Sequence, residues 1–285
     1  MTSPTPTTPA ASPATQADKA QAFRALHAAG GFIIPNPWDV GTARLLAQLG
    51  FKALATTSAG LAFSLGRPDN AISREQVLAH LRSLTAATDL PVSADLENGF
   101  GDDPKEVAQT IRLAAEAGVV GGSIEDATGR AADPIYSRDF AVERIRAAVE
   151  AARAQPFAFT LTARAENHLH GRNDLADTIA RLQAYQEAGA DVLYAPGLAT
   201  REDIATVLRE IDRPLNVLMG LGAVTLDAQT LFGLGVRRIS VGGSLARAAM
   251  GAFLRAANEM REHGTFTYAS AAVPHREINA MLARP

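Results

Sequence analysis

Eight short apolar runs, each followed by a stretch of helical periodicity, limit the fold of this chain more than any other feature. The runs are FIIPN (32–36), ALATTS (53–58), PVSADLE (91–97), VVGGSIED (119–126), FAFTLTARAE (157–166), DVLYAPG (191–197), PLNVLMG (214–220) and RRISVGG (237–243). Their length and near-continuous apolar character fit strands buried on both faces. Strands alternating with helices imply parallel βαβ units. Eight units over about 250 residues imply a closed (β/α)8 TIM barrel of the α/β class. A doubly wound open sheet is the alternative.

The helical stretches carry their own boundary signals. Asp102, Asp103 and Pro104 read as a helix start, because an Asp can cap the free N–H groups and Pro suits the first turn. Gly50, Gly118, Gly189 and Gly235 each follow a periodic stretch, as glycine does past a helix C-terminus. A further helix is predicted over 16–29, ahead of the first strand, and another after Pro274. Residues 16–285 show no break in composition and read as one barrel domain with a C-terminal helical extension. Residues 1–15, rich in Pro, Thr, Ser and Ala, cannot bury enough surface to order themselves and read as a disordered tail.

Composition removes several classes of function. The net charge of −3 implies no broad basic surface, so neither nucleic acid nor an anionic membrane is an expected partner. No apolar run approaches the roughly 18 residues of a membrane span. The chain has no cysteine, which excludes disulfides, thiolate metal sites and cysteine nucleophiles. That absence fits a reducing compartment, and a cytoplasmic location is expected.

In a (β/α)8 barrel the chemistry lies at the C-terminal ends of the strands. There the sequence places Asn36, Trp38 and Asp39 after the first run, Thr57 and Ser58 after the second, and Asp69 in the loop beyond. Asp95 and Glu97 end the third, Glu125 and Asp126 the fourth, and Arg164 and Glu166 the fifth. Asn216 lies in the seventh, and Gly242, Gly243 and Ser244 end the eighth. Two residues apart on a strand, Asp95 and Glu97 would point to the same side. Such a pair repels itself unless a cation or proton intervenes. Hard oxygen donors without sulfur, and without a histidine cluster, select Mg2+ or Mn2+. Taken singly, each feature has a plainer reading: a solvated rim, a helix cap for Asp126, a structural ion pair for Arg164. The argument for a site rests on their sharing one rim.

The segments TTSAGLAFSLGRPD, ADLENGFGD, SIED and TARAE, in this order, resemble the isocitrate lyase and phosphoenolpyruvate mutase superfamily. The resemblance extends from about residue 30 to about residue 250, and includes the phosphonomutase-like and carboxyvinyl-carboxyphosphonate phosphorylmutase-like members. It implies a (β/α)8 barrel whose eighth helix is swapped between the subunits of a homodimer or homotetramer. It also implies bound Mg2+ and a small 2-oxo or hydroxy carboxylic acid as substrate. By the same resemblance Asp95 is the direct metal ligand, while Asp69, Glu97 and Glu125 mainly hold metal-bound waters. Ser58, Ala59 and Gly60 grip a substrate carboxylate and oxo group, Arg164 binds and polarises the substrate, and Asn216 makes a further contact.

Departures from the family pattern narrow the chemistry. The loop after the fourth strand, EDATGRAADPIYSRD, lacks the Cys, Lys and His of the isocitrate and methylisocitrate lyases and the Asn of the mutases. Pro196 stands near the place of the mutases' histidine after the sixth strand. Tyr194, His168 and His170 are the side chains left to move a proton, along with a metal-bound water. The expected activity is a Mg2+-dependent lyase that breaks a C–C bond of a 2-oxo or hydroxy di- or tricarboxylate through an enolate, as in oxaloacetate decarboxylase or isocitrate and methylisocitrate lyases. The alternatives are phosphoenolpyruvate mutase or phosphonopyruvate hydrolase chemistry at a P–C bond, and a non-catalytic 2-oxo acid binder.

Overall fold

A computed structural model describes residues 14–28, 30–220 and 226–283; most of the expected N-terminal tail lies outside them. Eight parallel strands form one sheet: β1 (Phe32–Ile34), β2 (Leu54–Ala55), β3 (Val92–Asp95), β4 (Gly121–Glu125), β5 (Thr160–Arg164), β6 (Val192–Tyr194), β7 (Leu215–Leu218) and β8 (Arg238–Ser240). The sheet runs β1-β8-β7-β6-β5-β4-β3-β2. The gap between β1 and β2 is bridged where Ala55 N–H donates to Pro35 O at 3.1 Å. Asn36 adds a clamp: its amide donates to Thr56 O and accepts from the Val241 and Gly242 N–H groups. The result is a nearly closed (β/α)8 TIM barrel with eleven α-helices among the described residues.

Local chemistry accounts for the helix ends. Asp103 caps Pro104–Glu116 by accepting from Lys105 N–H. Ser73 and Gln76 form a capping box at the start of Arg74–Ala87, satisfying N–H groups that the helix itself cannot. Gly118, after Pro104–Glu116, has φ +95, a left-handed turn that side chains resist.

The strands are shorter than the apolar runs, and this changes one expectation. β3 ends at Asp95, and Glu97 lies beyond it with φ +49. Its side chain is therefore placed by a turn, not by strand alternation. The second run also stops early: Ser58 opens a short helix, Ser58–Ser64, capped by Thr57.

The main core lies between the barrel and its helices. The helix Gln16–Ala28 covers the N-terminal end, where fully buried Phe23 packs with Ala20, Ile34, Ala53 and Val120. Burying one such ring contributes about 1.5–3 kcal/mol. The helix of the eighth unit, Ser244–His263, behaves differently. Only Ala246 is buried, and Phe253 and Leu254 are 71% and 57% exposed. No helix among the described residues is long and apolar enough to cross a membrane.

Inside the barrel, one row of residues is polar. Glu125, Arg164, Tyr194, Asn216 and Arg238 are in register across β4 to β8. Registered residues of parallel strands share a face, and the stagger of a closed barrel makes the row climb. It rises from the first residue of β8 to the last residue of β4.

Candidate active site

Arg164 is the centre of the mouth. Its Nη1 lies 3.0 Å from Asp95 Oδ1, its Nη2 lies 3.0 Å from Glu125 Oε2, and its Nε donates to Glu166 Oε1 at 2.8 Å. Its guanidinium also sits 5.1 Å from the Tyr194 ring centroid. Burial disfavours this charge, but Glu125, Glu166 and Asp95 outweigh it and hold Arg164 protonated. The other oxygen of Asp95 accepts from both Ser58 N–H (3.0 Å) and Ser58 Oγ (2.8 Å).

The acids exceed the bases here. Burial pushes the Glu97 carboxyl up to about 8, helped by the charges of Asp95 and Asp69. Burial raises Glu125 and Asp69 as well. Glu97 Oε1 is buried with no hydrogen-bond partner, which is costly for a carboxylate oxygen. These features fit a divalent cation. No three acidic or histidine side chains among the described residues converge as a ready-made ligand cage. The donor set therefore suits Mg2+, which keeps most of its waters and takes one or two carboxylates directly.

A cavity of about 170 Å3 opens at this mouth, and Ser58, Ala59, Asp69, Asp95, Arg164 and Asn216 line it. Glu97 and Glu125 face an adjoining cavity of about 440 Å3 with Asn70, Asn98 and Thr128. Gly60 lines neither cavity; its N–H donates to Thr57 Oγ1, and a Cβ there would strike Thr57 and Trp38. The missing Cβ lets the short helix pack here. A larger cavity, about 720 Å3, opens at the opposite end of the barrel, and its one carboxylate, Asp191, is paired with Arg153.

Other residues named from the sequence are held as follows. Asp39 caps Val40–Gln48. Asp126 points away from the mouth, where Arg181 (3.0 Å) and Tyr185 (2.6 Å) hold it and Glu166 N–H donates to it. His168 packs against Gly197, and neither it nor His170 lines the mouth cavity. Asn216 lies inside the barrel, between Ser240 and Arg238. Sequence reasoning placed Glu166 on the rim without a role, and it passed over Arg238 and Ser240. The two-residue spacing of Arg238 and Ser240 on β8 was the available signal, since it puts both on one face.

Comparison with known proteins identifies the family of the chain. The model of the phosphoenolpyruvate phosphomutase family matches residues 23–261. An oxaloacetate decarboxylase from Pseudomonas entomophila is 30% identical over 238 residues, covering 80% of each chain. A crystal structure described as a lyase/mutase from Burkholderia cenocepacia J2315 is 68% identical with TM-score 0.93, covering 95% of this chain and 97% of that one. Phosphonopyruvate hydrolase, in a structure with oxalate and Mg2+, has TM-score 0.82 at 25% identity and covers 93% and 94% of the two chains. The chain thus belongs to the isocitrate lyase and phosphoenolpyruvate mutase superfamily of enzymes.

Proposed function

We propose that this enzyme is a Mg2+-dependent lyase that breaks a C–C bond of a small 2-oxo or hydroxy di- or tricarboxylate through an enolate, which is pyruvate-like when the substrate is a 2-oxo acid. The observation that carries this reading is the crowd of carboxylates around Arg164, with Glu97 Oε1 buried and unpartnered. Asp95 would hold the cation directly, and Asp69, Glu97 and Glu125 would hold its waters. Mn2+ would serve in place of Mg2+. A bound divalent cation supplies Lewis-acid stabilisation of negative charge.

This chain's own residues do the rest. Ser58 and Ala59 line the cavity where a substrate carboxylate would sit, and the Ser58 hydroxyl and N–H already hold Asp95 in place. Arg164, kept protonated by three carboxylates, places positive charge beside the developing enolate oxygen. Such preorganised charge is usually the largest catalytic contribution. Asn216 forms part of the cavity floor. Similarity to an oxaloacetate decarboxylase supports C–C cleavage of a four-carbon oxo diacid, and small-acid metabolism fits a cytoplasmic enzyme. The exposed apolar face of Ser244–His263 supports a homodimer or homotetramer in which this helix packs on a second copy.

Similarity to phosphonopyruvate hydrolase supports the second reading, cleavage of a P–C bond. The test is thermal unfolding and product release with oxaloacetate, methylisocitrate, isocitrate and phosphonopyruvate, with and without Mg2+. Turnover of a carboxylic acid supports the lyase. Turnover of phosphonopyruvate alone replaces it with the second reading. Mg2+-dependent stabilisation by these acids without any turnover makes the protein a binder.

A further inference from the structure

The lyase chemistry proposed above ends with a proton delivered to the enolate carbon, and the usual acid of the loop after β4 is missing. Among the residues lining the mouth cavity, the ones that titrate are Asp69, Asp95, Arg164, Tyr194 and Arg238. Arginine does not give up its proton in proteins. Asp95 is engaged with Arg164 and Ser58, and Asp69 is assigned above to the waters of the cation. Glu97 and Glu125, whose carboxyls burial also raises, face the adjoining cavity, so Tyr194 is the neutral acid left in this one. It is buried, ends β6, faces into the barrel, and lies against the Arg164 guanidinium.

A chain of hydrogen bonds gives its hydroxyl a direction. Arg238 lies inside the barrel with no carboxylate within ion-pair distance among the described residues, and its Nε donates to Asn216 Oδ1 at 2.8 Å. Because arginine only donates, the Asn216 amide is fixed with its oxygen toward Arg238. Asn216 Nδ2 then donates to Ser240 Oγ at 2.9 Å. Ser240, having accepted, keeps its own proton to give, and Tyr194 lines the same cavity; a Ser240 donor there favours the phenolate. The Tyr194 proton is left free to point into the cavity.

We propose that Tyr194 is the proton donor to the enolate carbon, and that Arg238 is a positioning residue that orients its hydroxyl through Asn216 and Ser240. In the step, the phenol O–H bond breaks and a C–H bond forms. The phenolate left behind faces the Arg164 charge and recovers a proton from water as the product leaves. Glu166 and Asp95 are the other charged groups that bear on it. Burial keeps the phenol above its ordinary range, with Arg164 opposing, so the group carries its proton at neutral pH. This inference rests on the enolate chemistry of the preceding reading.

The test is the exchange of pyruvate methyl protons for deuterium in D2O with Mg2+, followed by NMR, with oxalate affinity measured in parallel. The wild-type enzyme is expected to exchange. Tyr194→Phe is expected to lose about 100-fold or more of the rate, the usual contribution of a positioned acid–base group, while oxalate binds within about threefold of wild type. Arg238→Met is expected to lose at least about tenfold, and Arg238→Lys to recover part of it, because a lysine can also donate to Asn216. Should Tyr194→Phe fold poorly, 4-fluorophenylalanine at position 194 fills the place of the hydroxyl without a proton to give, and is expected to lose the exchange as well. Exchange at the wild-type rate in Tyr194→Phe or in the 4-fluorophenylalanine variant, or oxalate binding without wild-type exchange, overturns the assignment of Tyr194. Loss of exchange in Arg238→Met equal to that in Arg238→Lys overturns the positioning role. Failure of the wild type to bind oxalate with Mg2+ overturns the preceding reading, and this one with it.

Discussion

Arg164 Nη1 lies 3.0 Å from Asp95 Oδ1, an ion pair that joins the ends of β5 and β3 across the mouth of the barrel. Asp95 is thereby fixed from two sides, by the guanidinium and by Ser58. A carboxylate held so firmly needs little reorganisation to meet a cation, which is the condition for tight binding by few protein ligands.

Replacing Asp95 with Ala should abolish Mg2+-dependent binding of oxalate while the fold survives, as read by calorimetry and by thermal unfolding. Glu97→Gln and Glu125→Gln should weaken it by about 10–100-fold each, the usual cost of losing a group behind a metal's first ring of ligands. Full oxalate affinity in Asp95→Ala would contradict the assignment of the metal to this carboxylate.

Arg164→Met should lower stability by about 3–5 kcal/mol in urea denaturation, because it leaves Asp95, Glu125 and Glu166 buried without their counter-charge. Acid should recover part of that loss as the carboxyls protonate. A loss below about 1 kcal/mol would mean that the three acids do not share one charge.

Glu97 gives a pH dependence of defined sign. Its carboxyl goes from 4.5 in the unfolded chain to about 8 in the folded one, so the folded state binds this proton more tightly. Its stabilising effect is complete below the unfolded value and is lost as pH rises through about 8. Without metal, stability should fall across this window, and Glu97→Gln should flatten the fall. A cation that displaces the proton reverses the trend for binding. Mg2+ affinity should therefore rise with pH up to about 8, in calorimetric titrations at several pH values.

Gly121→Ala should destabilise the barrel by about 1–3 kcal/mol, since its Cβ would lie 2.8 Å from Thr160 O and 2.9 Å from Phe23. Gly233→Ala meets nothing within 4 Å and should stabilise by up to about 1 kcal/mol through helix propensity. Equal melting temperatures for the two variants would refute the packing described for the N-terminal end.

Phe253→Lys combined with Leu254→Lys should dissociate the proposed homo-oligomer, as measured by light scattering, because both side chains lie on the exposed face of Ser244–His263. An unchanged assembly, or a wild-type monomer, would remove this helix from any interface.

Local chemistry decided much of this molecule. Alternating apolar runs and helical stretches specify parallel βαβ units because each run can bury its surface only between helices. Caps such as Asp103 and glycines such as Gly118 mark helix ends through hydrogen bonds and backbone freedom that act within a few residues. Strand order then carried Asp95, Glu125 and Arg164 to one rim, so those site residues were legible as well.

What depended on barrel closure was not. The turn that aims Glu97 has φ +49, and no alternation rule describes it. Glu166 became a partner of Arg164, and Asp126, one residue from Glu125, went to Arg181 on the far side. The row from Glu125 to Arg238 is set by the pairing register of five strands, and the stagger of the barrel makes it climb. Buried polar groups find their partners across such distances because leaving them unpaired is costly, and those partners lie far apart in sequence.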